Sequence, residues 1–228
     1  MLLVLLACTP TTTTAAPPPA TPVDSAERQK VRWRMSEHFE KGTAARDAAV
    51  KGQVGIASTA LTGLGEHLEP GALGEAGKPL IDALVAESQK ASAAASPEEM
   101  GVGIGNVVST CAACHNAFAV KLPPITAKLP ANADAKGGHA ERGAWVIGAL
   151  WTGAITNGEL AWDKGAEELG KIPADAWGGA GGAGAQRAAD TLKTQMTVAL
   201  AAEDRAARAA SLGQVIGACG GCHAEIKK

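Results

Sequence analysis

The feature that most constrains this chain is a repeat: Gly105 to His115 reads GNVVSTCAACH, and Gly213 to His223 reads GQVIGACGGCH. Each ends in Cys-x-x-Cys-His, the spacing that attaches a c-type haem. Residues i, i+3 and i+4 share one face of a helix. Cys111 and Cys114 are therefore placed to form thioethers to the two porphyrin vinyl groups while His115 ligates the iron as proximal ligand. Cys219, Cys222 and His223 repeat the set, so the expected cofactors are two covalently attached haem c groups.

Three other uses of Cys-x-x-Cys weigh less. A zinc ribbon keeps its pairs within a few tens of residues and on turns, whereas Cys111 and Cys219 are 108 residues apart in helical sequence. A thioredoxin-like pair needs no following His and opens a helix after a strand, while these pairs fall near the ends of long helical stretches. Disulfide pairing explains neither histidine.

With 228 residues, abundant Ala, no Tyr and only two Phe, the chain reads as all-α, since little of it alternates as a strand would. The duplicated motif favours two units of about a hundred residues each. Net charge is −2 and no basic run stands out, which argues against nucleic acid as a partner. No nucleophile and base constellation supports hydrolytic chemistry, and the expectation is a non-enzymatic protein.

The start, Leu5-Leu6-Ala7-Cys8, resembles the lipobox of bacterial lipoprotein signals, in which the Cys is lipidated. It departs from that pattern in having no Lys or Arg before a very short apolar run. Residues 1–8 are read as a lipoprotein-like leader with a lipid anchor through Cys8, and 9–24, rich in Thr and Pro, as a tether that cannot bury a core. The implied location is the periplasm, at the membrane.

Start and stop signals divide the rest. Helices are expected over 25–50, 53–68, 79–94 and from Ser96-Pro97-Glu98-Glu99 onward, where Ser supplies an N-cap, Pro the first turn and Glu the third position. That fourth helix carries Ile104, Val107, Val108, Cys111, Cys114, His115 and Phe118 on one stripe. A second set is expected over 139–156, 159–169, 185–202 and 204–226, where Leu212, Val215, Ile216, Cys219, Cys222, His223 and Ile226 repeat the stripe. The architecture expected is two tandem four-helix bundles, 25–121 and 139–228, joined by a linker over 122–138, each with its haem motif on the last helix. Trp145, Trp151 and Trp162 read as core or haem-packing residues, and Glu167-Glu168 as a solvated face.

A haem motif on the last of four helices resembles the cytochrome c′ family, the class II cytochromes c. Arg28-Gln29, Met35 and His38-Phe39 on the first helix look like that family's Arg-Gln, Met and His-Phe pattern. The resemblance implies a haem inside each bundle with its distal side formed by the first helix. Arg32 stands where the family's distal side chain usually lies. Met35 and His139 are the candidate sixth ligands, one in each repeat. Because repeat two has no Met on its first helix, the two irons are expected to differ. A Lys at 227, four residues after His223, fits a basic position of the family, and Ala119 does not.

Two functions lead, ahead of a haem peroxidase, which needs distal acid–base groups over an open iron and would draw on Arg32 and His139. One is an exported dihaem electron carrier between redox protein partners; the other is a module binding NO or CO at a five-coordinate iron, as family members with an apolar distal side do. Oligomeric state is not legible in the sequence.

Overall fold

Helix-forming Ala, Leu and Glu dominate between the turn signals, and the computed structural model is helical where those signals allow. It describes residues 25–66, 73–120, 128–131, 139–156, 158–172 and 182–226. Cys8, the 9–24 tether and most of the 122–138 linker lie outside the described residues. In order the helices are α1 (Ser25–Val50), α2 (Val54–Glu66), α3 (Gly74–Ser92), α4 (Pro97–Ala117), α5 (His139–Thr156), α6 (Glu159–Leu169), α7 (Gly182–Leu200) and α8 (Arg205–Ile226). No strand occurs among the described residues, so the class is all-α. None of the described helices is long and apolar enough to cross a membrane.

Local chemistry explains the ends. Ser96 is extended and its hydroxyl accepts from Glu99 N at 3.1 Å, Pro97 follows in the first turn, and Glu99 Oε2 accepts from Ala95 N at 2.9 Å. At the start of α8, Asp204 Oδ1 accepts from Ala207 N at 2.8 Å. The start expected at Pro79 is wrong by five residues: α3 begins at Gly74, whose positive φ of 66° turns the chain in, and Pro79 lies inside the helix. Only one backbone bond is forgone there, near an end where donors are already unpaired.

Helices pack in chain order within each half, α1 on α2, α2 on α3 and α3 on α4, then α5 on α6, α6 on α7 and α7 on α8. The most extensive contact in the molecule joins the halves: α4 lies against α8. The two run antiparallel, since Gly101 faces Gly213 and Gly217, Gly105 faces Ala209 and Gly213, and Arg205 reaches Ala112. A Cβ at Gly101 would collide with Gly217 N, and one at Gly213 would fall only 2.8 Å from Gly101 O, so the backbones touch. Glycine inside a helix costs about 1 kcal/mol relative to Ala. Here that cost accompanies a crossing that no other residue admits.

Around this seam runs one apolar core. Leu61, Leu64, Met100, Ile104, Val107 and Val108 fill the first half, and Val146, Leu150, Trp162, Leu212, Val215 and Ile216 the second. Trp151 and Trp162 are buried as expected, and Trp145 packs against the core. The Trp162 indole N–H donates to Ala199 O at 2.8 Å, and the Arg208 guanidinium lies 5.7 Å over its ring. Glu168 corrects the reading of a solvated acidic pair, because it holds the buried Arg142 in an ion pair and Lys171 at 2.6 Å.

Candidate functional site

The antiparallel crossing sends the two motifs to opposite ends of the α4–α8 pair. Ala112, between the first two cysteines, meets Arg205 at the start of α8, while Gly220 of the second motif lies by Pro97 at the start of α4. About fifteen residues of α4 separate these points, roughly 22 Å along the axis.

Each motif reproduces the spacing on a helical face. Cys111, Cys114 and His115 are half-buried; Cys219 and Cys222 are 7 % and 1 % exposed, and His223 is half-buried. All four cysteines are free thiols. Burial, with the paired Cys adding to it, pushes the Cys111 and Cys219 thiols up to about 12. Burial raises Cys114 as well, and Cys222, where Glu225 contributes. Reactive redox pairs and thiolate metal ligands need the opposite shift. Nor do the described residues gather three or more His, Cys, Asp or Glu side chains where a bare metal ion would bind.

Both imidazoles are held from outside their own half. His115 Nδ1 lies 3.3 Å from Ile155 O near the end of α5, and His223 Nδ1 lies 2.5 Å from Val50 O at the end of α1. A carbonyl only accepts, so in each ring Nδ1 carries a hydrogen and, in the neutral form, Nε2 keeps the lone pair. The carbonyls are available because the last four of any helix lack intrahelical partners. Desolvation lowers the His115 pKa, against the opposing pull of the Ile155 carbonyl, which keeps the ring neutral as a ligand must be.

In comparisons with protein families, with characterised proteins and with solved structures, nothing matches this chain.

The residues present fit a covalent haem on chemical grounds. Two neutral thiols and one imidazole with a free Nε2 share a face in each motif, and the residues between the cysteines are Ala112-Ala113 and Gly220-Gly221, too small to hold a porphyrin edge away. The expected distal groups are placed less closely. Met35 is half-buried, ten residues into α1. The side chains of Arg28, Arg32 and His139 lie outside the described residues, as does His67. His38 is buried on α1.

Sequence reading missed the two carbonyls, Arg205 and Glu98. Arg205 Nη1 donates to Ala112 O at 3.0 Å, inside the first motif, and the Glu98 carboxylate lies against Gly221, where a Cβ would collide with its Oε1. No residue type announces a backbone acceptor. The two charges were visible only as first-turn residues of their helices.

Proposed function

We propose that this chain is an exported dihaem c-type cytochrome that carries electrons between periplasmic or membrane redox proteins. In that reading the halves 25–121 and 139–228 are tandem haem domains resembling cytochrome c′, and Cys8 anchors the chain to a membrane through lipid. The observation that carries it is the contact each motif histidine makes through Nδ1 with a backbone carbonyl, Ile155 O for His115 and Val50 O for His223, which leaves Nε2 available on a helix that also bears two free thiols.

A bound haem supplies a one-electron iron couple. The chain's residues do the rest: Cys111 and Cys114 anchor one group and Cys219 and Cys222 the other, His115 and His223 present Nε2, and the carbonyls fix ring orientation and raise imidazole basicity. Ile104, Val107 and Val108, and Leu212, Val215 and Ile216, are buried in the turns before each cysteine pair and fix the motif helices in the core. No proton donor or nucleophile is required, so the protein is a carrier and not an enzyme.

The test is optical and analytical. A pyridine haemochrome assay should give two haems per chain, and spectra of the oxidised and reduced protein should show narrow α and β bands insensitive to CO. Fewer than two haems overturns the assignment. A broad high-spin spectrum that sharpens with CO replaces the electron carrier with the NO- or CO-binding alternative.

A further inference from the structure

The two motif histidines exchange supports. His115 of the first half sits on Ile155 of the second, and His223 of the second sits on Val50 of the first. The acceptors are equivalent to within one residue in the repeat, each at the C-terminal end of its half's first helix. We propose that each half orients the other half's proximal histidine, Val50 O holding His223 and Ile155 O holding His115, so that each haem's potential depends on a carbonyl of the opposite half. This inference rests on the haem reading above.

Three observations support it beyond the two contacts. First, the α4–α8 crossing is too close to be a loose tether between independent units, because Gly101, Gly105 and Gly213 bring backbone against backbone. Second, the turn after α1 is shaped to α8: Gly52 has φ of 70°, and a Cβ there would fall 2.7 Å from Gly220 O and 2.9 Å from Ala224 N. Third, Gly220 faces the same turn, since its own Cβ would collide with Ala49 O. The end of α1 is thus pressed onto the turn of α8 that bears Cys219, Cys222 and His223.

The chemistry comes from the direction of the bond. A helix C-terminus carries partial negative charge, and an imidazole N–H donating to it gains electron density at Nε2. That favours the oxidised iron and lowers the midpoint potential. Losing the bond raises the potential of that haem alone, by about tenfold in its reduction equilibrium if the bond contributes as hydrogen bonds to charged groups do, or ~59 mV for one electron.

The test uses the full-length haem-loaded protein with Gly52→Ala, and Gly74→Ala as its control. Gly74 has a comparable φ of 66° but nothing within 4 Å of a Cβ, so it carries the backbone strain without the collision. Both variants should keep two haems. Gly52→Ala should raise the potential of the second haem, with the first haem unchanged and Gly74→Ala silent. The waves are assigned with Cys219→Ala plus Cys222→Ala, which lacks the second haem. Unaltered values in Gly52→Ala, equal shifts at both haems, or the same shift in Gly74→Ala would overturn the inference. If Gly52→Ala does not accumulate, hydrogen exchange decides in the reduced parent protein: the Nδ1 hydrogens of His115 and His223 should exchange slowly, and rapid exchange at both sinks the proposal. A protein without haem fails the functional reading at the assay stage, before either comparison begins.

Discussion

The joint between α1 and α8 and the joint between α5 and α4 do the same task with different closeness. At the first, His223 Nδ1 is 2.5 Å from Val50 O, Gly52 turns with positive φ into α8, and Cys219 and Cys222 are buried. At the second, His115 Nδ1 is 3.3 Å from Ile155 O and its cysteines are half-buried. Gly158, the counterpart of Gly52, has φ of −81°, and a Cβ there meets only Thr156 of its own half. The repeated motif sets the ligand chemistry in both places. The turn leaving the first helix of the opposite half sets how deeply that chemistry is buried.

Removing the cysteines breaks the comparison most severely. Cys111→Ala with Cys114→Ala, and separately Cys219→Ala with Cys222→Ala, should each reduce two haems per chain to one. An emptied haem site leaves a cavity larger than any side-chain truncation, and the loss should reach about 5 kcal/mol or more. Thermal unfolding followed by circular dichroism should show the larger drop for the second pair, whose cysteines are buried. Equal drops would mean that the difference in burial carries no energy.

The seam comes next. Gly101→Val places a branched side chain where Gly213 O and Gly217 N already occupy the space of a Cβ. Destabilisation of roughly 3 kcal/mol is expected from such overpacking. On α5, Gly148 has nothing within 4 Å of a Cβ, and Gly148→Ala should be neutral or stabilising by up to about 1 kcal/mol. Denaturant titration of both variants separates close packing from helix propensity. A neutral Gly101→Val would show that α4 and α8 can part without loss.

These contrasts also mark where sequence reading stops. The caps were legible because capping is local: Ser96-Pro97-Glu98-Glu99 specifies a helix start by itself, and the helix begins at Pro97. The stripes through Val107, Val108, Val215 and Ile216 were legible by period, and all four are buried. Pro79 misled because proline marks a first turn more often than a second. Gly101 and Gly105, like Gly213 and Gly217, carried a usable signal, four-residue spacing on a helix, but such spacing tells only that something approaches and not what. The supports of the histidines were hidden altogether, since Val50 and Ile155 act through backbone oxygens.

Native-state hydrogen exchange measures the same difference more gently. Amides over 218–222, where Ala218, Cys219, Gly220 and Cys222 are all buried, should exchange about tenfold or more slowly than those over 112–116, where Ala113 and Asn116 are exposed. Similar protection at both ends would indicate that α1 lifts from α8 as readily as α5 lifts from α4.

The smallest expected effect is electrostatic, and it has opposite sign at the two ends. Antiparallel packing brings the start of α8 to the first motif and the start of α4 to the second, so first-turn positions one residue apart in the repeat present Arg205 to Ala112 and Glu98 to Gly221. A cation beside a haem site favours the reduced iron's extra electron, and an anion disfavours it. Both side chains reach solvent, and screening limits each effect. A shift of roughly twofold in the reduction equilibrium of the adjacent haem is expected from a unit charge at such distances, or ~18 mV. Arg205→Gln should lower the first haem's potential, Glu98→Gln should raise the second's, and Arg205→Lys should restore most of the first. Potentiometric titration at low ionic strength reads all three, and the shifts should shrink as salt is added. If Arg205→Gln and Glu98→Gln moved both haems in one direction, the charges would be acting through the fold they cap and not through the sites they face.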